Sequence, residues 1–216
     1  MSEHPPQPES PNVLWGLMGL NVLVYTLWHT VGIDHPALFR AHLTVSWESV
    51  AAGRLWTLLT SELSHVDATH LLANLLGLYV FGLPVLQVLG GRGLAGLYVF
   101  GALAASLGFV AWGALTGDPA VALGASGAVS AIAVCYALWF PRRTLLLMFF
   151  IPLPAWLAVL AFIVLDVLGL FVSGVDGLLM GRDVRIAHSA HLGGAVAGLV
   201  VGLPVWWRNR AAGIAR

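Results

Sequence analysis

The sequence predicts an all-α membrane protein: a six-transmembrane-helix bundle with interfacial helices in its first loop. Three observations carry that prediction. Of 216 residues, 59% are hydrophobic and only 9% charged, with a mean hydropathy of +0.88. A soluble domain carries about 25% charged residues, so most of this surface must face lipid. Six apolar runs approach the length of about 20 residues that a span requires. Between the first two runs lies a long stretch, Asp34 to Val66, that mixes Leu, Trp and Phe with His, Arg and Glu. Net charge is zero and lysine is absent, which leaves no basic patch for nucleic acid. The single Cys135 lies in an apolar run; it has no intrachain disulfide partner and reads as packing.

Taken in order, residues 1–12 form a Pro-rich tip that is expected to be disordered. The tip lacks the basic region of a signal peptide, and the run behind it is too long for one, so that run is expected to stay as a membrane helix. The membrane domain then covers 13–207. Its first span runs from Val13 to Ile33. The second runs from Thr69 to Leu89 and stops at Gly90-Gly91-Arg92-Gly93. The third runs from Leu94 to Leu115, before Thr116-Gly117-Asp118-Pro119. The fourth, Ser126 to Phe140, is short and is expected to begin below the membrane surface. The fifth lies within Leu145 to Val172, its regular part starting near Pro154, since proline is tolerated in a first helical turn. The sixth runs from His188 to Trp207, before a basic cytoplasmic tail, 208–216.

The stretch Asp34–Val66 is expected to form short helices in the interface, where Trp47 and Trp56 suit headgroup depth. Ser173–Ala187 is glycine-rich and polar and is expected to be mobile. With cytoplasmic termini, six arginines (92, 142, 143, 208, 210, 216) lie inside and four (40, 54, 182, 185) outside. The positive-inside rule therefore places both termini in the cytoplasm.

The chemistry centres on Gly124-Ala125-Ser126-Gly127, which sets a serine at the mouth of the fourth span. Serine between small residues is common at helix contacts in membranes. What raises this one is the company it keeps. The second span opens with His70, and Asn74 follows on the same face four residues later. The sixth opens with His188-Ser189-Ala190-His191. Even-numbered spans enter from one side, so His70, Ser126 and His191 should meet at similar depth. A serine hydroxyl is a weak nucleophile and needs a base within hydrogen-bond reach; histidine can be that base. Acyl transfer also needs donors aimed at the developing oxyanion, and His70, Asn74 and the Ser126 amide can serve. No carboxylate stands obviously beside His191, so a Ser–His dyad fits better than a triad. The ladder Ala190, Gly194, Gly198, Gly202 and the series Gly127, Ala131, Cys135 share four-residue spacing. If those faces meet, Ser126 and His191 come within reach.

These residues resemble the rhomboid family of intramembrane serine proteases. The matching pieces are Gly124–Gly127, Ala190-His191-Leu192-Gly193-Gly194 with Gly198, and His65 with His70-Leu71-Leu72-Ala73-Asn74. The resemblance implies a rhomboid-like bundle over all six spans and hydrolysis of peptide bonds in membrane-embedded, single-span substrates. It implies Ser126 as nucleophile and His191 as base, and an oxyanion hole of His70, Asn74 and the Ser126 amide. His65 would anchor the first loop, and the fifth helix with the Ser173–Ala187 loop would act as a gate. No cofactor is implied; the partners are the lipid bilayer and transmembrane substrates. The compact form suggests a bacterial inner membrane. Two positions depart from the family pattern. Trp56 is followed by Thr57 rather than Arg, and Ser130 stands where an aromatic ring often stacks on the catalytic histidine. His191 is then either less firmly oriented or held by another group.

Other polar residues receive plainer readings. His188 and His191 lack the H-E-x-x-H pattern of zinc proteases, so no metal is expected and His188 reads as lining the helix mouth. Asp166, inside the fifth span, is a functional candidate by default, but reads first as an interhelical hydrogen-bonding contact. The alternative to a protease is a non-catalytic relative that binds and escorts membrane proteins; loss of Ser126 or His191 would favour it, and both are present. A solute transporter would call for internal repeats, and none is evident.

Overall fold

A computed structural model of the chain describes residues 9–147, 150–172 and 186–211. Most of the expected tip, the larger part of the expected gate loop and the end of the tail lie outside these residues. The described chain is mostly helical. Helix α1 covers Asn12–Trp28. The first loop then forms α2 (Val31–Asp34), α3 (Pro36–Leu43), α4 (Trp47–Ala51), α5 (Thr57–Thr60) and a 3-10 turn, Ser61–Leu63. Short helices were expected here, and local chemistry starts one of them. Ser46 caps α4 by accepting from the Ser49 amide, and the Ser49 hydroxyl accepts from the Ser46 amide in return, a reciprocal cap that satisfies two otherwise orphaned donors.

The second and third expected spans are continuous as α6, Ala68–Thr116, broken only at Gly90, where φ is 72° and ψ is 171°. Asp67 caps its start by accepting from the His70 amide at 2.8 Å. The chain turns back at Gly90, a backbone conformation glycine adopts without steric cost. Both halves then run along α7, Ser126–Trp139. In the first half, Gly77 lies against Val129; in the second, Gly101 lies against Ala131. Helix α1 packs on α6 through Leu14, and Asn21 donates to the Tyr98 hydroxyl at 3.2 Å. The last residues of the expected tip are also held, since Glu9 and Gln87 share two hydrogen bonds.

Strictly all-α architecture does not hold. Strands β1 (Thr144–Leu147) and β2 (Ile151–Pro154) form an antiparallel hairpin, pairing Thr144 with Pro154 and Leu146 with Pro152. The reason is Pro152 and Pro154, which push the residues before them into extended backbone. Helix α8, Ala155–Phe171, starts directly after Pro154, as the proline spacing predicts. Helix α9, His188–Ala211, carries Arg208 and Arg210 in its last turn, so the expected tail begins as helix.

Among the described residues, two helices, α6 and α9 over His188–Arg208, are long and apolar enough to cross a membrane; α1, α7 and α8 have 17, 14 and 17 residues. The centre of the molecule is the α7–α9 contact. A Cβ on Gly194 would overlap the Gly127 carbonyl oxygen, one on Gly198 would come within 2.8 Å of Val134, and one on Gly202 within 2.6 Å of Leu138. Close backbone approach exposes carbonyls to donors across the interface. The Cys135 thiol and the Trp139 indole donate to the Gly198 and Gly202 carbonyls, at 3.3 and 3.0 Å.

Candidate active site

The site forms where the mouths of α6, α7 and α9 meet. The first loop shapes the approach to Ser126. Val45 and Ala122 exchange two backbone hydrogen bonds, at 2.9 and 2.8 Å, and the Gly124 amide donates to the Ser61 carbonyl at 3.0 Å. Gly124 has φ 122°, a conformation that disfavours side chains, and a Cβ there would press on the His70 ring at 2.6 Å. The glycine before the serine thus serves two needs: the turn into α7 and room for His70.

Ser126 occupies the first position of α7, and His191 lies near the start of α9. Their side chains meet, with 2.8 Å between Ser126 Oγ and His191 Nε2. Beside it the two helices touch backbone to backbone, where Gly194 lies against Gly127, the residue next to Ser126. Ser130, at the position where the resemblance leads one to expect an aromatic ring, donates its hydroxyl to the Ser126 carbonyl at 2.8 Å.

The absence of a carboxylate beside His191 was an incorrect expectation. Asp166 of α8 accepts from His191 Nδ1 at 2.9 Å and from His188 Nδ1 at 2.8 Å, through the same oxygen, Oδ1. The interhelical role expected of Asp166 is therefore real, and its partners are the two histidines of α9. Only one ring proton can sit on each neutral imidazole. With the His191 proton on Nδ1 facing Asp166, the Nε2 lone pair faces Ser126. Ser126, His191 and Asp166 thus form a continuous chain of hydrogen bonds across three helices.

His70 and Asn74 lie on the first turns of α6. The Asn74 amide, buried, donates to the His70 carbonyl at 2.9 Å. An amide nitrogen has two hydrogens, so this bond fixes Asn74 without using both. His65 is buried edge-on against His70, ring centroids 5.0 Å apart. Burial, with His70 beside it, pushes the His65 pKa down to about 4. His65 is thus neutral at physiological pH and packs the first loop onto α6. His42, unlike these, lies away from the site, where Trp56 donates to its ring at 3.1 Å.

Glu62 was given no role from sequence. Its carboxyl is buried beneath the mouth of α7 and accepts from the Ala128 amide at 3.3 Å. Burial raises its pKa to about 8, only partly offset by the Ala128 amide and the Ser106 side chain. A carboxyl in a helix's first turn complements the orphaned amides there. The capping partner comes from 66 residues upstream, and in the sequence it reads as an ordinary acid in a polar turn, Thr60-Ser61-Glu62-Leu63-Ser64. Ser61, Glu62, Ser106 and Ser126 line a cavity of about 10 Å³, at the lower limit for one water molecule.

The Rhomboid domain family matches residues 52–208, which include every one of these site residues. RHOMBOID-like protein 12, mitochondrial, of Arabidopsis thaliana is 35% identical over 214 residues, 92% of this chain and 59% of that protein. Rhomboid protein 1, mitochondrial, of Saccharomyces cerevisiae is 29% identical over 204 residues, 93% of this chain and 54% of that protein. Rhomboid-like protein 16, chloroplastic, of Arabidopsis thaliana is 35% identical over 147 residues, 61% and 45% of the two chains. This chain spans about half the length of these relatives. The expected bacterial inner membrane does not stand, because these relatives are named for mitochondria or the chloroplast. A family match over residues 52–208, and 35% identity to a rhomboid-like protein across 92% of the chain, make this chain a member of the rhomboid family.

Proposed function

We propose that this protein is an intramembrane serine endopeptidase of an organellar membrane, cleaving single-span membrane proteins. The observation that carries this reading is the 2.8 Å contact between Ser126 Oγ and His191 Nε2, backed by Asp166 at 2.9 Å from Nδ1. His191 takes the serine proton as Oγ attacks a peptide carbonyl. Asp166 holds the imidazole in the required tautomer and balances the charge it gains. His70, Asn74 and the Ser126 amide face the developing oxyanion. His191 then returns its proton to the leaving amine, and water, activated by the same ring, releases the acyl chain. The acceptable substrate is a helix that unwinds locally, because a hydrogen-bonded helix hides its peptide carbonyls.

In this reading six helical segments cross the bilayer: α1, the two halves of α6, α7, α8 and α9. The short α7 is supported by its burial, since a helix enclosed by protein need not match the hydrocarbon thickness. The arginine distribution supports putting both termini, and the Pro141–Arg143 turn, on the side opposite the site. The test is labelling of the purified protein by a fluorophosphonate, together with cleavage of a single-span reporter in liposomes. Wild type should label and cleave, and Ser126→Ala and His191→Ala should each do neither while remaining folded. Folded wild type that neither labels nor cleaves would favour a binding and escort role.

A further inference from the structure

Two imidazole nitrogens and a carboxylate oxygen converge on one point behind the serine–histidine contact. His188 Nδ1 and His191 Nδ1 lie 2.8 and 2.9 Å from Asp166 Oδ1, and the three atoms lie within 4.8 Å of one another. The side chains are only 5%, 20% and 13% exposed for His188, His191 and Asp166. Helix α8 is shaped to receive them. One turn beyond Asp166 is Gly169, and a Cβ there would overlap the His188 ring.

We infer that Asp166, His188 and His191 form a binding site for a Zn²⁺-like transition-metal ion, and that filling it switches the serine–histidine pair off. The inference rests on the reading of Ser126 and His191 as the reacting pair. The donor set decides the class of ion. Two imidazoles and one carboxylate suit zinc or cobalt, whereas magnesium and calcium favour oxygen donors throughout. Zinc holds histidine nitrogen and carboxylate oxygen at about 2.0–2.2 Å, which spaces tetrahedral ligand atoms about 3.4 Å apart. The two Asp166–histidine spacings are shorter than that by roughly 0.5 Å, a displacement that small ring shifts supply. The fourth position is left for water.

The switch follows from proton placement. A metal takes the lone pair of a deprotonated ring nitrogen. When it occupies Nδ1 of His191, the single ring proton moves to Nε2. That nitrogen then donates to Ser126 Oγ instead of accepting from it. The same shift gives the metal-bound ring the outer hydrogen bond that metal-ligating histidines commonly make. Proton and metal compete for one nitrogen, and only the proton leaves His191 able to act as a base.

The test uses the full chain in detergent, first stripped with a chelator. In Ser126→Ala, Co²⁺ should give the visible bands of a tetrahedral site at one ion per chain, bleached by Zn²⁺ and unaffected by Mg²⁺ or Ca²⁺. His188→Ala and Asp166→Asn, each made in that background, should lose the bands. In the chain with Ser126 intact, Zn²⁺ should slow fluorophosphonate labelling and reporter cleavage, and chelator should restore both. His188→Ala, compared with its own chelated rate, should need at least about 10-fold more Zn²⁺ for the same slowing. Absence of cobalt bands, zinc inhibition unchanged by His188→Ala, or loss of activity in chelator would each overturn the proposal. Cobalt bands in a chain whose Ser126 never labels would instead leave the metal site standing and remove its role as a switch along with the protease reading.

Discussion

Helices α7 and α8 each present one polar side chain to His191, and they are held in opposite ways. Of the 14 residues of α7, nine are buried, from Gly127 to Ala137. Of the 17 of α8, only Ala155, Ala158 and Val159 are buried, all in its first turns. Asp166 sits beyond them, on a stretch whose Phe162, Val164, Val167 and Phe171 are exposed. Ser126 thus stands on a helix gripped by backbone contacts on several sides. Asp166, which meets His191, stands on a peripheral helix, anchored at its far end and through His188 and His191 themselves. Geometry between Ser126 and His191 is set by packing; the tautomer of His191 is set by a hydrogen bond that a modest displacement of α8 would break.

Breaking the rigid side should have the largest effect. Gly194→Val forces a side chain into the Gly127 carbonyl, and neither helix can yield without separating. Overpacking a close core contact costs about 1–3 kcal/mol or more. Reporter cleavage should fall to background and the thermal midpoint should drop; wild-type cleavage would show that the α7–α9 contact does not set the site.

The next effect belongs to the loosely held side. Asp166→Asn keeps size and shape but lets the ring adopt the wrong tautomer. In a soluble serine protease triad the equivalent change lowers kcat about 10⁴-fold. A fall of about 10²-fold or more is expected here, with KM and thermal midpoint little changed. A change confined to KM would mean that Asp166 shapes substrate entry and does not orient His191.

Substitution on the outer face of α8 gives the contrast. Phe162 is 53% exposed, and Phe162→Ala should alter detergent-phase kcat by no more than about 2-fold, as expected for a surface change within 0.5 kcal/mol. A loss matching that of Asp166→Asn would show that α8 is held by contacts along its whole length.

The smallest effect concerns the cap under α7. The Glu62 carboxyl has its pKa raised from 4.5 to about 8, so the folded chain keeps a proton that the unfolded chain loses. Stability from this group is complete below about 4.5 and falls as pH rises to about 8. His65, lowered from 6.5 to about 4, acts in the opposite sense, adding stability as pH rises between those values. Between 6.5 and 8 the Glu62 contribution stands apart from that of His65. Glu62→Gln should therefore flatten the decline of the thermal midpoint across that interval. An equal decline in both proteins would place the titrating group elsewhere.

The same contrast explains what was legible in the sequence. Ser126 and His191 could be paired because small residues at four-residue spacing mark both contact faces, and because alternate spans enter from one side. Pro154 marked the start of α8, and two prolines also explain the hairpin that an all-α reading omits. Asp166 was visible as an acid in an apolar run, but its partner depends on the rotation of α8 about its axis, and exposed apolar residues around most of that helix leave no stripe from which to read it. Glu62 was hidden for another reason. Its partner is a backbone amide 66 residues away, and backbone leaves no trace in side-chain pattern.

The turn at Gly90 bears on which length changes this chain can accept. With a single non-helical residue between the two halves of α6, no slack exists to absorb an extra one. A residue inserted between Gly93 and Gly101 would rotate everything beyond it by about 100°. Gly101, Ala105 and Gly108, which now face Ala131, Gly127 and Gly193, would turn away together. The phase of the second half against α7 and α9 is therefore counted from Gly90, and the number of residues between that hinge and Gly101 is as constrained as their identity.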